Sequence, residues 1–245
     1  SGVFEVAAAP TPAGQIDKLV LAKLSGLGIR PALCSDAVFV RRAYLDVIGT
    51  LPTTKEVREF LEDPDTEKKR SRLIDRLLER EEFAPYWAMK WGDILRIKAE
   101  FPVNLWPNAA QAYHRWVEAS IAQNKPYDEF ARELLTSSGS NFRVGPVNFY
   151  RAIQNRTPEG IASAVALTFM GTRAEGWPKE RLAGMAAFFS QIGYKPTREW
   201  KEEVVFWNPL PASAQATNRV ADAATGSQSN ATPEVATFPD GKQIR

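Results

Sequence analysis

Residues Phe39–Asp63, FVRRAYLDVIGTLPTTKEVREFLED, decide how the chain is read. Ser35-Asp36 just before it can cap a helix running Val38 to Ile48, which stops at Gly49. Thr53 followed three residues later by Glu56 forms a capping-box pattern and opens a short helix to Leu61. A helix, a glycine stop, a capped start and a second helix within 25 residues predict an α-helical domain with sharp punctuation.

The same signs extend in both directions. Ile16, Leu19, Val20, Lys23, Leu24 and Leu27 fit a 3.6-residue period, with Gly26 and Gly28 at the end. Asp65-Thr66 starts a helix that places Leu73, Ile74, Leu77 and Leu78 on one face. Trp87, Trp91, Ile94 and Leu95 make the stripe of the next. Pro107 precedes a helix to Ala122 with Tyr113, Trp116, Val117 and Ile121 inward, and Tyr127 to Leu135 gives a shorter one. Gly139 to Asn148 reads as loop. Thr157-Pro158-Glu159 is a strong start for a helix to Met170, and Pro178 repeats that device before a helix from Leu182 to Ile192.

The character changes after Gly193. Glu202 to Trp207, EEVVFW, reads as a strand, with Glu234 to Phe238, EVATF, as its expected partner. The fold class is therefore mainly α: roughly eight helices in a single domain, with a small C-terminal β element and a long polar loop. The expected division is an N-terminal extension over 1–13, a helical domain over 14–208, a polar low-complexity loop over 209–233, and a strand with the start of a truncated following region over 234–245. Ser1-Gly2-Val3 reads as a processing junction, and the closing PDGKQIR as a cut.

Composition narrows function mainly by exclusion. The 245 residues are 44% apolar and 24% charged, as in an ordinary globular protein. A net charge of +2, from 31 basic and 29 acidic residues, lacks the concentrated basic face of a nucleic-acid binder, so no nucleic acid is expected as partner. No run of 18 apolar residues offers a transmembrane segment. One Cys and one His cannot supply the four ligands of a structural zinc site or a Cys-x-x-Cys-His haem attachment. No metal and no cofactor are expected.

The candidate chemistry is sparse. Arg41 and Arg42 suggest an anion site, although Arg42 and Asp46 also stand one turn apart and can pair, and no Gly-rich loop completes such a site. Asp46, Asp93 and Asp128, with Glu129, are the carboxylates available to a glycan-cleaving mechanism, which needs two of them across a cleft. Asp93 lies on an otherwise apolar helix and is expected to be buried and paired. Trp87, Trp91, Trp106, Tyr113 and Trp116 cluster in one third of the chain. Helical spacing assigns most of them to the core. Trp106, in the loop NLWPN, is the better binding candidate. His114, beside an apolar stripe, reads as a boundary residue.

The segments IDKLVLAKLSGLGIRP, FVRRAYLDVIGTLPTTKEVREFLED, RLIDRLLEREEFAPYWAMKWGDILR and NKPYDEFARELL resemble, in this order, the helical domain of unknown function that accompanies planctomycete-type cytochrome c domains. The likeness runs from about Ile16 to about Asn208 and is most specific at Arg-Arg-x-Tyr-x-Asp…Gly-x-Leu-Pro-Thr. It implies an exported, multidomain, periplasmic or cell-surface protein. Its partners would be the neighbouring domains, cell-surface protein or polysaccharide. It implies no activity. Members commonly carry a Cys-x-x-Cys-His type segment after the helix that ends F-x-G. Here Phe169-Met170-Gly171 is followed by TRAEGWPKER and then LAGMAAFF, with no Cys or His between. The resemblance therefore implies no haem for this chain. A structural or interaction module is the leading expectation. A carboxylate-dependent glycan enzyme and a degenerate electron-transfer module are the alternatives.

Overall fold

A computed structural model describes residues 4–6, 9–208 and 236–244. Among them are ten α-helices and seven short strands. The fold is mainly α, as the punctuation of the sequence implies. The chain divides into two compact units, Ser1–Tyr86 and Trp87–Arg245.

In the first unit, β1 (Glu5–Val6) pairs antiparallel with β2 (Leu33–Cys34) around α1 (Gln15–Gly26). The apolar period of α1 is real, yet the helix buries none of its residues, and Ile16 and Leu19 stay exposed. The core comes from α2 (Asp36–Ile48), α3 (Thr54–Glu62) and α4 (Lys69–Leu78). Val40, Tyr44 and Ile48 meet Phe60, Leu73 and Leu77 there. The capping box forms as read: Thr53 N–H donates to Glu56 at 2.6 Å, and Glu56 N–H to the Thr53 hydroxyl at 3.3 Å. Asp65 to Lys68 form a turn, so α4 begins later than Asp65-Thr66 suggested. Asp36 at the start of α2 receives the buried Lys69 Nζ at 2.7 Å and Arg70 at 2.8 Å, tying α2 to α4.

Helix α5 (Phe83–Ile94) leads into the second unit, where α6 (Pro107–Ala122), α7 (Tyr127–Thr136), α8 (Asn148–Ala152), α9 (Pro158–Met170) and α10 (Lys179–Ala186) enclose the larger core. Tyr113, Val117, Leu134, Val147 and Ile161 are buried at its centre. A three-stranded antiparallel sheet lies beside it in the order β3 (Gly139–Ser140), β5 (Glu203–Trp207), β4 (Ile192–Pro196).

Three expectations change. Gly139 to Asn148 is not loop throughout: it holds β3, a 3₁₀ turn at Gly145–Val147 and the start of α8. The helix from Pro178 ends at Ala186 and passes through a 3₁₀ turn (Ala187–Phe189), so Ile192 opens a strand. Among the described residues, the Ala236–Phe238 part of EVATF does not pair with EEVVFW. β5 takes β4 and β3 as neighbours, because the loop 197–202 lets Ile192–Pro196 fold straight back onto it, with Ile192 opposite Trp207 and Pro196 opposite Glu203. Strand β6 (Ala236–Thr237) pairs with β7 (Gln243–Ile244) instead. The polar loop read over 209–233 lies outside the described residues.

Candidate functional site

The connection from α5 to α6 is pinned at both ends by apolar anchors. Leu95 is 2% exposed and Leu105 0%, and the backbone between them closes on itself, Leu105 N–H donating to Lys98 O at 3.1 Å and Trp106 N–H to Ala99 O at 3.2 Å. With Leu105 sunk in the core, the next residue is driven outward, and Pro107 then starts α6. Proline bars its predecessor from the right-handed helical region. That restriction favours extended backbone at negative φ, and Trp106 departs even from it, at φ 68° and ψ 155°, close to the glycine-only region, which stores of order 1–3 kcal/mol.

The hairpin loop between β4 and β5 comes to the same place. Trp200 lies edge-on to Trp106, ring centroids 6.5 Å apart at 70°. The ammonium of Lys201, also at positive φ (63°), stands 5.5 Å from the Trp106 ring and 4.9 Å from the Trp200 ring. Trp200 is 74% exposed and Trp106 39%.

The loop is braced from below. Glu202 accepts from the Ser140 hydroxyl and, at 2.7 Å, from Thr197 Oγ1, and these two hydroxyls hold its carboxyl below the usual range despite some burial. Buried Asn141 accepts from Glu203 N–H at 2.9 Å and donates to Lys201 O at 3.4 Å. Glu203 binds Arg151 directly and Arg156 at 3.3 Å. Burial drives the Arg151 pKa down, and the Glu203 charge opposes it. The result is two tryptophans and a lysine displayed on a hydrogen-bonded and ion-paired base.

The residues singled out in the sequence are placed as follows. Arg42 pairs with Asp46 at 2.8 Å on an exposed face, and Arg41 is exposed nearby. Asp128 pairs with Arg132 at 3.2 Å, also exposed. Asp93 is exposed and has no side-chain partner among the described residues, which corrects the expectation of a buried pair: it projects from the outer side of α5, while Trp91 on the helix and Leu95 just after it pack on the core. Trp91 and Trp116 pack on Phe130 at 5.1 and 4.8 Å, and Tyr113 is fully buried, so these aromatics are core. His114 faces Glu118 at 3.6 Å one turn along α6, and Cys34 is a free thiol in β2. Trp200 and Lys201 were missed by the sequence reading. The only signal was an aromatic within a charged turn, TREWKEE, ahead of the strand.

The join after Gly171 borders a groove of about 480 Å³ over Ile153, Ala164 and Leu182. Arg96 and Arg173 line it together with Glu159 and Glu175, and none of the four forms an ion pair among the described residues. The Ser163 hydroxyl in its wall is spent on Glu159 O at 2.8 Å. The groove offers charges of both signs to a solute but no nucleophile poised on a base. Among the described residues no three of His, Cys, Asp and Glu gather as a metal would require, and no helix is long and apolar enough to cross a membrane.

Fold and surface together define a mainly helical domain with a small antiparallel sheet that displays an aromatic platform. The chain belongs to the PSCyt2 family, proteins of unknown function (DUF1549), whose sequence profile matches residues 15–176. Neither a curated protein nor a solved structure matches it.

Proposed function

We propose that the chain is a non-catalytic interaction module of an exported or cell-surface multidomain protein, and that it holds polysaccharide on the Trp106–Trp200 platform. The observation that carries this reading is the display itself. Two tryptophan rings stay in solvent while Trp106 and Lys201 occupy strained backbone positions. Burying either ring would release apolar surface from water, and strain of this kind persists only where the surroundings enforce it. Flat aromatic rings at a protein surface stack on the C–H faces of sugar rings. The exported setting is supported by the family resemblance, and polysaccharide is a surface partner that such a setting supplies.

A glycan-cleaving role draws no support from two of the carboxylates proposed for it. Asp46 and Asp128 are each bound to an arginine one turn away on an exposed helix face.

The test is titration of the purified chain with a panel of neutral and acidic soluble polysaccharides, followed by calorimetry or affinity electrophoresis. At least one should bind, and Trp200→Ala should weaken it about tenfold while leaving thermal stability unchanged, since the ring is mostly in solvent. No binding across the panel, or equal binding by the variant, overturns the reading.

A further inference from the structure

We infer that the platform selects acidic polysaccharides, with Lys201 as the group that reads the carboxylate; this rests on the glycan reading above. The ammonium of Lys201 hangs over both tryptophan rings, at 4.9 and 5.5 Å, and has no carboxylate partner among the described residues. Ring faces attract a cation through their quadrupoles but accept no strong hydrogen bond, so its three N–H donors remain open. Cation–π contact fixes where that charge stands, which is what a surface lysine normally lacks.

The rest of the hairpin loop shares the bias. Arg198 stands two residues before Trp200 and forms no ion pair among the described residues. Of the two carboxylates in the loop, Glu202 is consumed by Ser140 and Thr197, which leaves Glu199 alone against Arg198 and Lys201. A neutral sugar could use the rings and would leave those cations facing water. A sugar bearing a carboxylate beside its apolar face uses both at once: its ring on the part of Trp200 left open to solvent, and its carboxylate on Lys201. Charge complementarity of this kind acts mainly through selectivity, and salt screens it.

Matched pairs of polymers test it. Polygalacturonate is compared with its methyl-esterified form, and carboxymethyl cellulose with hydroxyethyl cellulose, at low and high ionic strength; polyglutamate supplies acid without sugar. The expected result is binding of an acidic member about fivefold tighter than its neutral counterpart, lost at high salt. Lys201→Gln should bring the ratio of acidic to neutral affinity down to about one, whatever it does to the neutral affinity itself, whereas Trp200→Ala weakens both members and keeps the ratio. Equal affinity within a pair overturns the acidic preference and leaves the platform reading standing. Polyglutamate binding as tightly as the acidic polysaccharide overturns it too, because charge alone would suffice. Failure of all four polysaccharides removes the platform reading itself, and this inference with it.

Discussion

Trp106 is held by a conflict between neighbours rather than by its own preference. Leu105 must enter the core and Pro107 must begin α6, and the residue between them absorbs the difference at φ 68°, ψ 155°. That geometry costs a side-chain-bearing residue of order 1–3 kcal/mol and costs glycine almost nothing. Two variants separate backbone from side chain. Trp106→Ala and Trp106→Gly both remove the ring, but the glycine variant should be the more stable by about 1 kcal/mol or more, read as a higher urea midpoint. Elsewhere glycine is usually the worse of the two. A glycine variant no more stable than the alanine one would mean the backbone is not strained there. Neither variant should retain polysaccharide binding.

At the level of elements, helix ends carry much of the specification. α2 stops at Gly49 and α9 at Gly171, both left-handed, at φ 71° and 60°. The two glycines differ in what surrounds them. A Cβ at Gly171 meets nothing within 4 Å, while one at Gly49 would sit 2.3 Å from the Tyr86 ring. Gly171→Ala should therefore lose only the backbone term, about 1 kcal/mol, and Gly49→Ala distinctly more, measured as thermal unfolding free energies of the two variants. Equal losses would show that Tyr86 moves aside freely. Signals of this local kind are why so much of the helical fold could be read in advance: Ser35, Thr53, Pro107 and Thr157 each act within one turn of their own position. Pairing over longer separations left weaker marks. Phe188, Phe189 and Ile192 fit a helical apolar pattern, and only the match of Ile192–Pro196 to Glu203–Trp207 makes the segment turn back as a hairpin. Half of the platform was lost for that reason. Trp106 was visible as a tryptophan in a loop, but Trp200 and Lys201 gain meaning only from the hairpin that brings them beside it. The stripe on α1 shows the opposite limit: Ile16, Leu19 and Val20 identify a helix but do not say what, if anything, covers them.

Among the described residues, six carboxylates are held below their ordinary values. Burial alone would raise Asp36 and Glu56, but Lys69 and Arg70 outweigh it at the first. At the second, the Thr53 N–H and hydroxyl, the Tyr44 hydroxyl and Arg80 hold the carboxyl at about 2. Asp63 is lowered by the Asp65 N–H and Arg72, Glu82 by Arg80, Glu133 by Lys125, and Glu202 by its two hydroxyls. In the unfolded chain these groups return to ordinary values near 4. As pH falls below about 5, the unfolded state takes up protons that the native state does not, and the equilibrium shifts toward unfolding. The stability these groups contribute is complete above their unfolded pKa and is lost as pH drops through the folded values, for Glu56 between about 4.5 and about 2. The urea midpoint should hold between pH 6 and pH 7 and decline steadily from about pH 5 to pH 3. Glu56→Gln assigns part of that slope to one residue. It should lower the midpoint at pH 7, where the ionised carboxylate ties Thr53 and Arg80 together, and it should narrow the gap between pH 7 and pH 3, because the amide has nothing to titrate. A variant weakened equally at both pH values would place the importance of Glu56 in its shape rather than its charge. A wild-type midpoint unchanged down to pH 3 would mean that the depressed carboxylates do not govern acid stability.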